Sequence, residues 1–175
     1  MGRSQLPNAL TIGRLFLLPV YVVLVAICDG GRSWPAAIVF GVAGITDQVD
    51  GFLARRWHVE SAFGKIADPL ADRLMIDAAV LMLLHAGRLP WIALLIPARD
   101  VIVLIGTPIM LGRGYEFQVN LLGKIATWLL YASLAFVMVT RNGTHWPLWI
   151  FWSGVAVGLV ALAEYALKAR REAFA

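Results

Sequence analysis

Six stretches of about 20 apolar residues follow one another along the chain, and that length is what an α-helix needs to cross a hydrocarbon core of about 30 Å. They run roughly 9–28, 34–54, 67–86, 90–111, 121–140 and 146–167. The breaks between them read DGGRS, RRWHVES, HAGRLP, GRGYEFQ and RNGTHWP, rich in turn-formers and charge. Backbone polar groups inside lipid must be satisfied within the protein, so a spanning chain is helical or a closed barrel, and runs this long specify helices. Apolar residues fill 60% of the 175 positions, well above the ~45–50% of soluble domains. The expected fold is an all-α integral membrane bundle of six transmembrane helices. The short breaks make consecutive helices antiparallel neighbours, and the length suits one domain over 1–175.

Orientation follows from the cations. With the amino terminus in the cytoplasm, the inner side holds Arg3, Arg14, Arg55, Arg56, Lys65, Arg73, Arg113, Lys124, Lys168, Arg170 and Arg171. The outer side holds Arg32, Arg88 and Arg141, and Arg99 falls inside the fourth run. Eleven against three puts both termini and the loop after the second span in the cytoplasm. Trp34, Trp91, Trp146 and Trp149 then fall near the outer boundary, as an aromatic belt does. The net charge of +4 is therefore read as membrane topology, and a nucleic-acid partner is not expected. The run LFLLPVYVVLVAIC resembles a signal segment, but Ile27 stands before Cys28 where a lipoprotein signal needs a small residue, and no A-x-A site follows. An uncleaved first span is expected. The lone Cys28 excludes an internal disulfide.

One segment breaks the lipid-like pattern. DQVDGFLARRWHVESAFGKIADPLAD, residues 47–72, carries four aspartates. Asp47 and Asp50 lie three apart in the last turns of the second span, and Asp68 and Asp72 four apart in the first turns of the third. Both spacings put the pair on one helix face. The short connection lets all four converge at the cytoplasmic end of a helix hairpin. Four clustered anions repel one another, and Asp47 and Asp50 are further disfavoured by a helix C-terminus. Hard oxygen ligands without His or Cys point to Mg²⁺, Mn²⁺ or Ca²⁺, and four carboxylates suffice for two ions, an arrangement suited to in-line attack on phosphorus. The plain alternative is a solvated interfacial loop with ion pairs to Arg55, Arg56 and Lys65. Gly51, Ala54 and Gly64 argue against it, because small residues beside the carboxylates let a ligand approach closely. Gly41 and Gly44 are read as helix packing.

The segment also fits a known pattern without gaps. D-x2-D-G-x2-A-R-x8-G-x3-D-x3-D is met by Asp47, Asp50, Gly51, Ala54, Arg55, Gly64, Asp68 and Asp72, and it resembles the signature of the CDP-alcohol phosphatidyltransferases. The six spans match that family's core as well. The resemblance implies transfer of a substituted phosphate from a CDP-linked donor to an alcohol, with release of CMP. It implies a two-metal site, with Mg²⁺ or Mn²⁺ held by Asp47, Asp50, Asp68 and Asp72, and Asp72 as general base on the acceptor hydroxyl. Gly51, Ala54, Gly64 and Arg55 would lie along the nucleotide beside Asp47. A homodimer is implied too. No Ser, Cys or His is placed as a covalent nucleophile, so a single displacement is expected. His58, His85 and His145 lack partners at metal-ligand spacing and read as loop or interface residues.

The opening PNALTIGRLFLLP is similar to the glycerol-acceptor branch of the family. Asn8, Thr11 and Arg14 fall a helical turn apart there, facing either the nucleotide or the acceptor phosphate, or serving as cap and interfacial anchor. Arg99, deep in the fourth run, resembles the branch's acceptor-phosphate pocket together with Lys124. Alternatively Arg99 neutralises the adjacent Asp100 or pairs with another span. Thr107 and Ala126 stand where glycerol-3-phosphate enzymes carry further cations, and GKIAT is closer to enzymes that make cardiolipin from phosphatidylglycerol. The expected activity is phosphatidyl transfer from CDP-diacylglycerol to a glycerol-type alcohol, glycerol-3-phosphate first and phosphatidylglycerol second. A divalent-ion transporter is the reading from another class, but its carboxylates belong near the bilayer midplane, with inverted repeats. Asp77 is read as a helix-surface ion pair with Arg73, and KARREAFA as a cytoplasmic anchor attracted to anionic lipid.

Overall fold

The computed structural model describes residues 5–28, 32–57, 62–111 and 121–173, with side-chain surroundings for 12–28, 32–46, 73–104, 121–164 and 167. The six apolar runs appear as helices in order: α1 (Gln5–Ala26), α2 (Trp34–Trp57), α3 (Ala62–His85), α4 (Leu95–Leu111), α5 (Leu121–Val139) and α6 (Trp146–Ala173). No strand occurs among the described residues.

The fourth run departs from the expected single span. A 3₁₀ turn, Trp91–Leu94, precedes α4, which is only 17 residues long. Pro97 explains the break. It lacks an N–H and its ring crowds the carbonyl four residues back, so it fits the first turn of α4 better than a continuous helix from Trp91 onward, although α1 holds Pro19 in its interior. At the other extreme, α6 has 28 residues, about 42 Å at 1.5 Å each. The helix continues through the basic segment expected to act as an anchor, so Lys168, Arg170 and Arg171 fall on its last turns.

Hydrogen bonds at one end of the bundle fix the topology. The N–H of Ser33 donates to the Met138 carbonyl at 2.9 Å, and Arg32 Nε donates to Val139 O at 3.1 Å. Arg88 Nη2 donates to Val137 O and to Thr140 O, the latter at 2.8 Å. Four successive carbonyls at the end of α5, which helix geometry leaves without partners, are thereby capped by groups that precede α2 and follow α3. Cations suit this negative end of the helix dipole. Burial, and then the neighbouring Arg32 charge, lower the proton affinity of the Arg88 guanidinium. Ser33 also caps α2 through Oγ, which accepts from the Ala36 N–H at 3.1 Å. Gly87, at φ +69°, closes α3. Its N–H donates to Leu84 O and the Arg88 N–H to Leu83 O, the paired bonds of a left-handed helix stop.

The start of α2, the end of α3, the end of α5 and the start of α6 thus share one end. Phe136 and Trp146 stack across the last two, with centroids 4.9 Å apart. The four tryptophans read as a belt also gather near it: Trp34 opens α2, Trp91 lies just before α4, and Trp146 and Trp149 open α6. The far end receives the last part of α2, the first part of α3 and the start of α5.

The core is built from close helix approach. α5 and α6 form the most extensive pair, while α1 packs on α2 and α3. Tyr21, Phe40 and Tyr131 stack in sequence across α1, α2 and α5, with centroids 5.6 and 4.8 Å apart. Gly44 lies flat against the Tyr131 ring, and Gly154 against Leu129 and Leu130, so small residues set the helix spacing as they do in lipid. Gly41, expected to play the same part, faces open space. Large apolar side chains point outward from every helix, among them Phe16, Ile38, Leu81, Ile102, Trp128 and Val160. An exterior this apolar needs lipid or another apolar phase against it. α5 and the Trp146–Glu164 part of α6 are long and apolar enough to cross a membrane.

Candidate active site

Asp47 and Asp50 lie on α2, and Asp68 and Asp72 on α3, which are in contact. Their side chains lie outside those described, as do those of Asn8, Thr11, Gly51, Ala54, Arg55 and Gly64; His58 lies outside the described residues altogether. The helix bounds correct one expectation. α2 runs on to Trp57, so Asp50 stands seven residues before its end and Asp47 ten. At 1.5 Å per residue that is about 10 and 15 Å, and the dipole fades within the last turn. The α2 pair is therefore not penalised by a C-terminus. Asp68 and Asp72 are the seventh and eleventh residues of α3 and gain equally little from its N-terminus. All four are helix-interior positions, on two contacting helices of a bundle with an apolar exterior, where a carboxylate needs a counter-charge.

As a donor set the four suit hard divalent cations. They offer carboxylate oxygens only, on two rigid elements, at spacings that keep each pair on one face. Among the described residues no group of three or more His, Cys, Asp or Glu offers a second metal site. His85 and His145 are exposed at the ends of α3 and before α6.

A second polar cluster lies inside the bundle, between α3 and α4. Asp100 is buried, with 3% of its side chain exposed. Its Oδ1 accepts from Arg99 Nε at 3.0 Å and from Arg99 Nη2 at 2.7 Å. Arg73, from α3, approaches the same oxygen at 3.6 Å, and its Nη1 donates to the Asp100 carbonyl at 3.4 Å. The surface pair expected between Arg73 and Asp77 does not form. Arg73 turns instead to α4, and Asp77 is half-buried, facing Asp100 and within the electrostatic reach of Arg99 and Arg73. Both arginines thus engage Asp100, with Asp77 alongside it, and such pairing is how charge is accommodated away from water.

Arg99 Nη1 rests on α6. A Cβ added to Gly158 would lie 2.6 Å from it and 3.6 Å from Ala126 Cβ on α5. Arg99 and the first turns of α5 are therefore neighbours. Lys124 stands there, exposed, two residues before Ala126. Arg14, grouped with them from sequence, is only 1% exposed and sits on α1, which packs chiefly on α2 and α3. Gly158 was missed in the sequence, although Gly154 and Gly158 form a G-x-x-x-G spacing that marks close helix approach.

Comparison with known proteins identifies the family. Residues 4–160 match the family model described as CDP-alcohol phosphatidyltransferase. The chain is 34% identical to the CDP-diacylglycerol--glycerol-3-phosphate 3-phosphatidyltransferase of Bacillus subtilis, the match covering 83% of this chain and 86% of that protein. It is 30% identical to the protein of the same name from Escherichia coli, over 90% of this chain and 86% of the relative. The match of Salmonella paratyphi A, again of that name, has the same identity and shares. These relatives set the transporter reading aside. The family is generally dependent on divalent metal ions. With an aspartate-bearing helix pair and a lipid-facing exterior, this chain is a membrane-bound enzyme and belongs to the CDP-alcohol phosphatidyltransferase family.

Proposed function

We propose that the protein transfers the phosphatidyl group of CDP-diacylglycerol to glycerol-3-phosphate, giving phosphatidylglycerophosphate and CMP. The observation that carries the reading is the pair of two-aspartate faces on contacting helices, in a chain similar over most of its length to enzymes of that name. The acceptor's hydroxyl oxygen forms a bond to the phosphorus that bears diacylglycerol, the phosphorus–oxygen bond to CMP breaks, and the hydroxyl proton passes to Asp72. A base in that role must lie within hydrogen-bond reach of the hydroxyl. Asp47, Asp50, Asp68 and Asp72 would hold two Mg²⁺ or Mn²⁺ ions. When bound, such ions neutralise the pyrophosphate and stabilise the departing CMP.

Asp47, Gly51, Ala54, Arg55 and Gly64, with Asn8 and Thr11 from α1, would form the nucleotide cleft. The small residues leave room for the cytidine and its phosphates to approach the backbone. Arg99 and Lys124 supply cations for the acceptor phosphate, with Arg14 as a third on the α1 side. We place all of this in one catalytic domain over 1–175, with six spans, in the cytoplasmic membrane. Both termini and the active site face the cytoplasm, and two copies form a homodimer. At that level the lipid donor arrives from the bilayer and the soluble acceptor from water.

The test is CMP release by purified full-length protein with CDP-diacylglycerol and Mg²⁺. Glycerol-3-phosphate should support release. Phosphatidylglycerol is the competing acceptor, favoured by the fact that Asp100 already engages two of the N–H groups of Arg99. Release with phosphatidylglycerol alone would move the reading to cardiolipin synthesis. Silence with every alcohol would end it.

A further inference from the structure

Arg99 carries five N–H donors in a rigid fork. Asp100 engages one edge of that fork, at Nε and Nη2, leaving about three N–H groups for a ligand. The guanidinium is not sealed, since 21% of the Arg99 side chain remains exposed. Its Nη1 occupies the place where any side chain at Gly158 would begin. The same Asp100 oxygen draws in Arg73, which follows the proposed base, Asp72, directly along α3.

We propose that Asp100 and Gly158 are positioning residues for the acceptor. Asp100 holds Arg99 by one edge and ties it, through Arg73, to the helix that carries Asp72, while the bare backbone at Gly158 forms the slot that receives the guanidinium. The proposal rests on the reading of Arg99 as the acceptor-phosphate cation. Three helices meet in this arrangement: α3 supplies Arg73, α4 supplies Arg99 and Asp100, and α6 supplies the slot. An acceptor gripped by Arg99 is then set at a fixed distance from the turn that bears the base, which is what in-line attack requires. A carboxylate retained merely to neutralise Arg99 needs no slot on a third helix and no shared contact with α3.

The slot provides a gentle perturbation. The atom that an alanine Cβ would meet is the far end of a flexible side chain, so Gly158→Ala displaces the guanidinium and not the backbone. The experiment measures CMP release by the full-length protein in lipid nanodiscs with Mg²⁺, varying glycerol-3-phosphate and CDP-diacylglycerol separately. Gly158→Ala and Asp100→Asn are each expected to raise the KM for glycerol-3-phosphate about tenfold or more while the KM for CDP-diacylglycerol stays within about twofold. Asp100→Glu, which keeps the charge, should recover part of the loss. If the acceptor KM of Gly158→Ala is unchanged, or if both KM values rise together, the positioning role is overturned. Should Asp100→Asn fail to fold, the Gly158→Ala result decides alone. Wild-type protein that is inactive with glycerol-3-phosphate would instead overturn the acceptor reading itself, and the positioning role with it.

Discussion

The proposed chemistry turns on Asp72. If it takes the proton from the acceptor hydroxyl, Asp72→Asn keeps the size of the side chain and removes the base. A positioned base is worth about 10²–10⁴ in rate, so CMP release should fall at least a hundredfold. Binding of CDP-diacylglycerol should persist in part, because Asp47, Asp50 and Asp68 remain. Turnover close to wild type would remove Asp72 from the base role, and a binding measurement on the same sample separates loss of chemistry from loss of donor. At this scale the sequence was most informative about the aspartates, because their spacing and small neighbours are linear properties of the chain. It was least informative about Arg99. The adjacent Asp100 was visible, but whether an arginine uses its neighbour, another helix or a ligand depends on where α3 and α6 come to lie. The Arg73–Asp77 reading failed for that reason. Four-residue spacing puts both on one face, yet a carboxylate on another helix competes for the guanidinium and wins.

The helices themselves were legible from hydrophobic runs, and their ends were legible only in part. Nothing in the run 90–111 announced a 3₁₀ turn except Pro97, whose effect depends on how far it falls from the true helix start. The two glycines of α2 looked alike in sequence and differ in the fold. A Cβ added at Gly44 would lie 2.8 Å from the ring of buried Tyr131, whereas one added at Gly41 would meet nothing within 4 Å. Gly44→Ala should therefore lower stability by about 1–3 kcal/mol through overpacking. Gly41→Ala should be neutral or slightly stabilising, since Ala is the better helix former by up to about 1 kcal/mol. Thermal unfolding of the two variants in the same detergent checks the contrast, and equal midpoints would refute the packing account. The end of α5 offers a second test. Arg88→Ala withdraws the donor from Val137 O and Thr140 O, and leaving such acceptors without partners costs about 1–3 kcal/mol. The melting temperature should drop while the acceptor and donor KM values at low temperature hold, because this cap lies at the end of the bundle away from the carboxylates.

At the scale of the whole molecule, the arrangement joins an arginine-capped, tryptophan-rich end to one where α2 and α3 bring in their aspartates. Charge counting in the sequence expects these ends on opposite faces of the membrane, because lipid forces polar breaks to its two surfaces. What charge counting did not reveal is that two of the three arginines it counts on the outer side, Arg32 and Arg88, donate to helix carbonyls. Their placement is a packing requirement as well as a topological one, so the eleven-to-three asymmetry is carried by residues with separate reasons to be where they are. Orientation therefore calls for a direct measurement. The protein has a single cysteine, so Cys28→Ser gives a blank background. Asn142 is exposed in the turn between α5 and α6, at the arginine-capped end. In intact cells, Asn142→Cys on that background should react with a membrane-impermeant maleimide added outside. A cysteine appended after Ala175 should stay unlabelled until the membrane is opened. The reverse pattern would turn the protein over, placing the aspartates on the face where no cytoplasmic CDP-linked donor could be supplied, and would break the link between this fold and the proposed reaction.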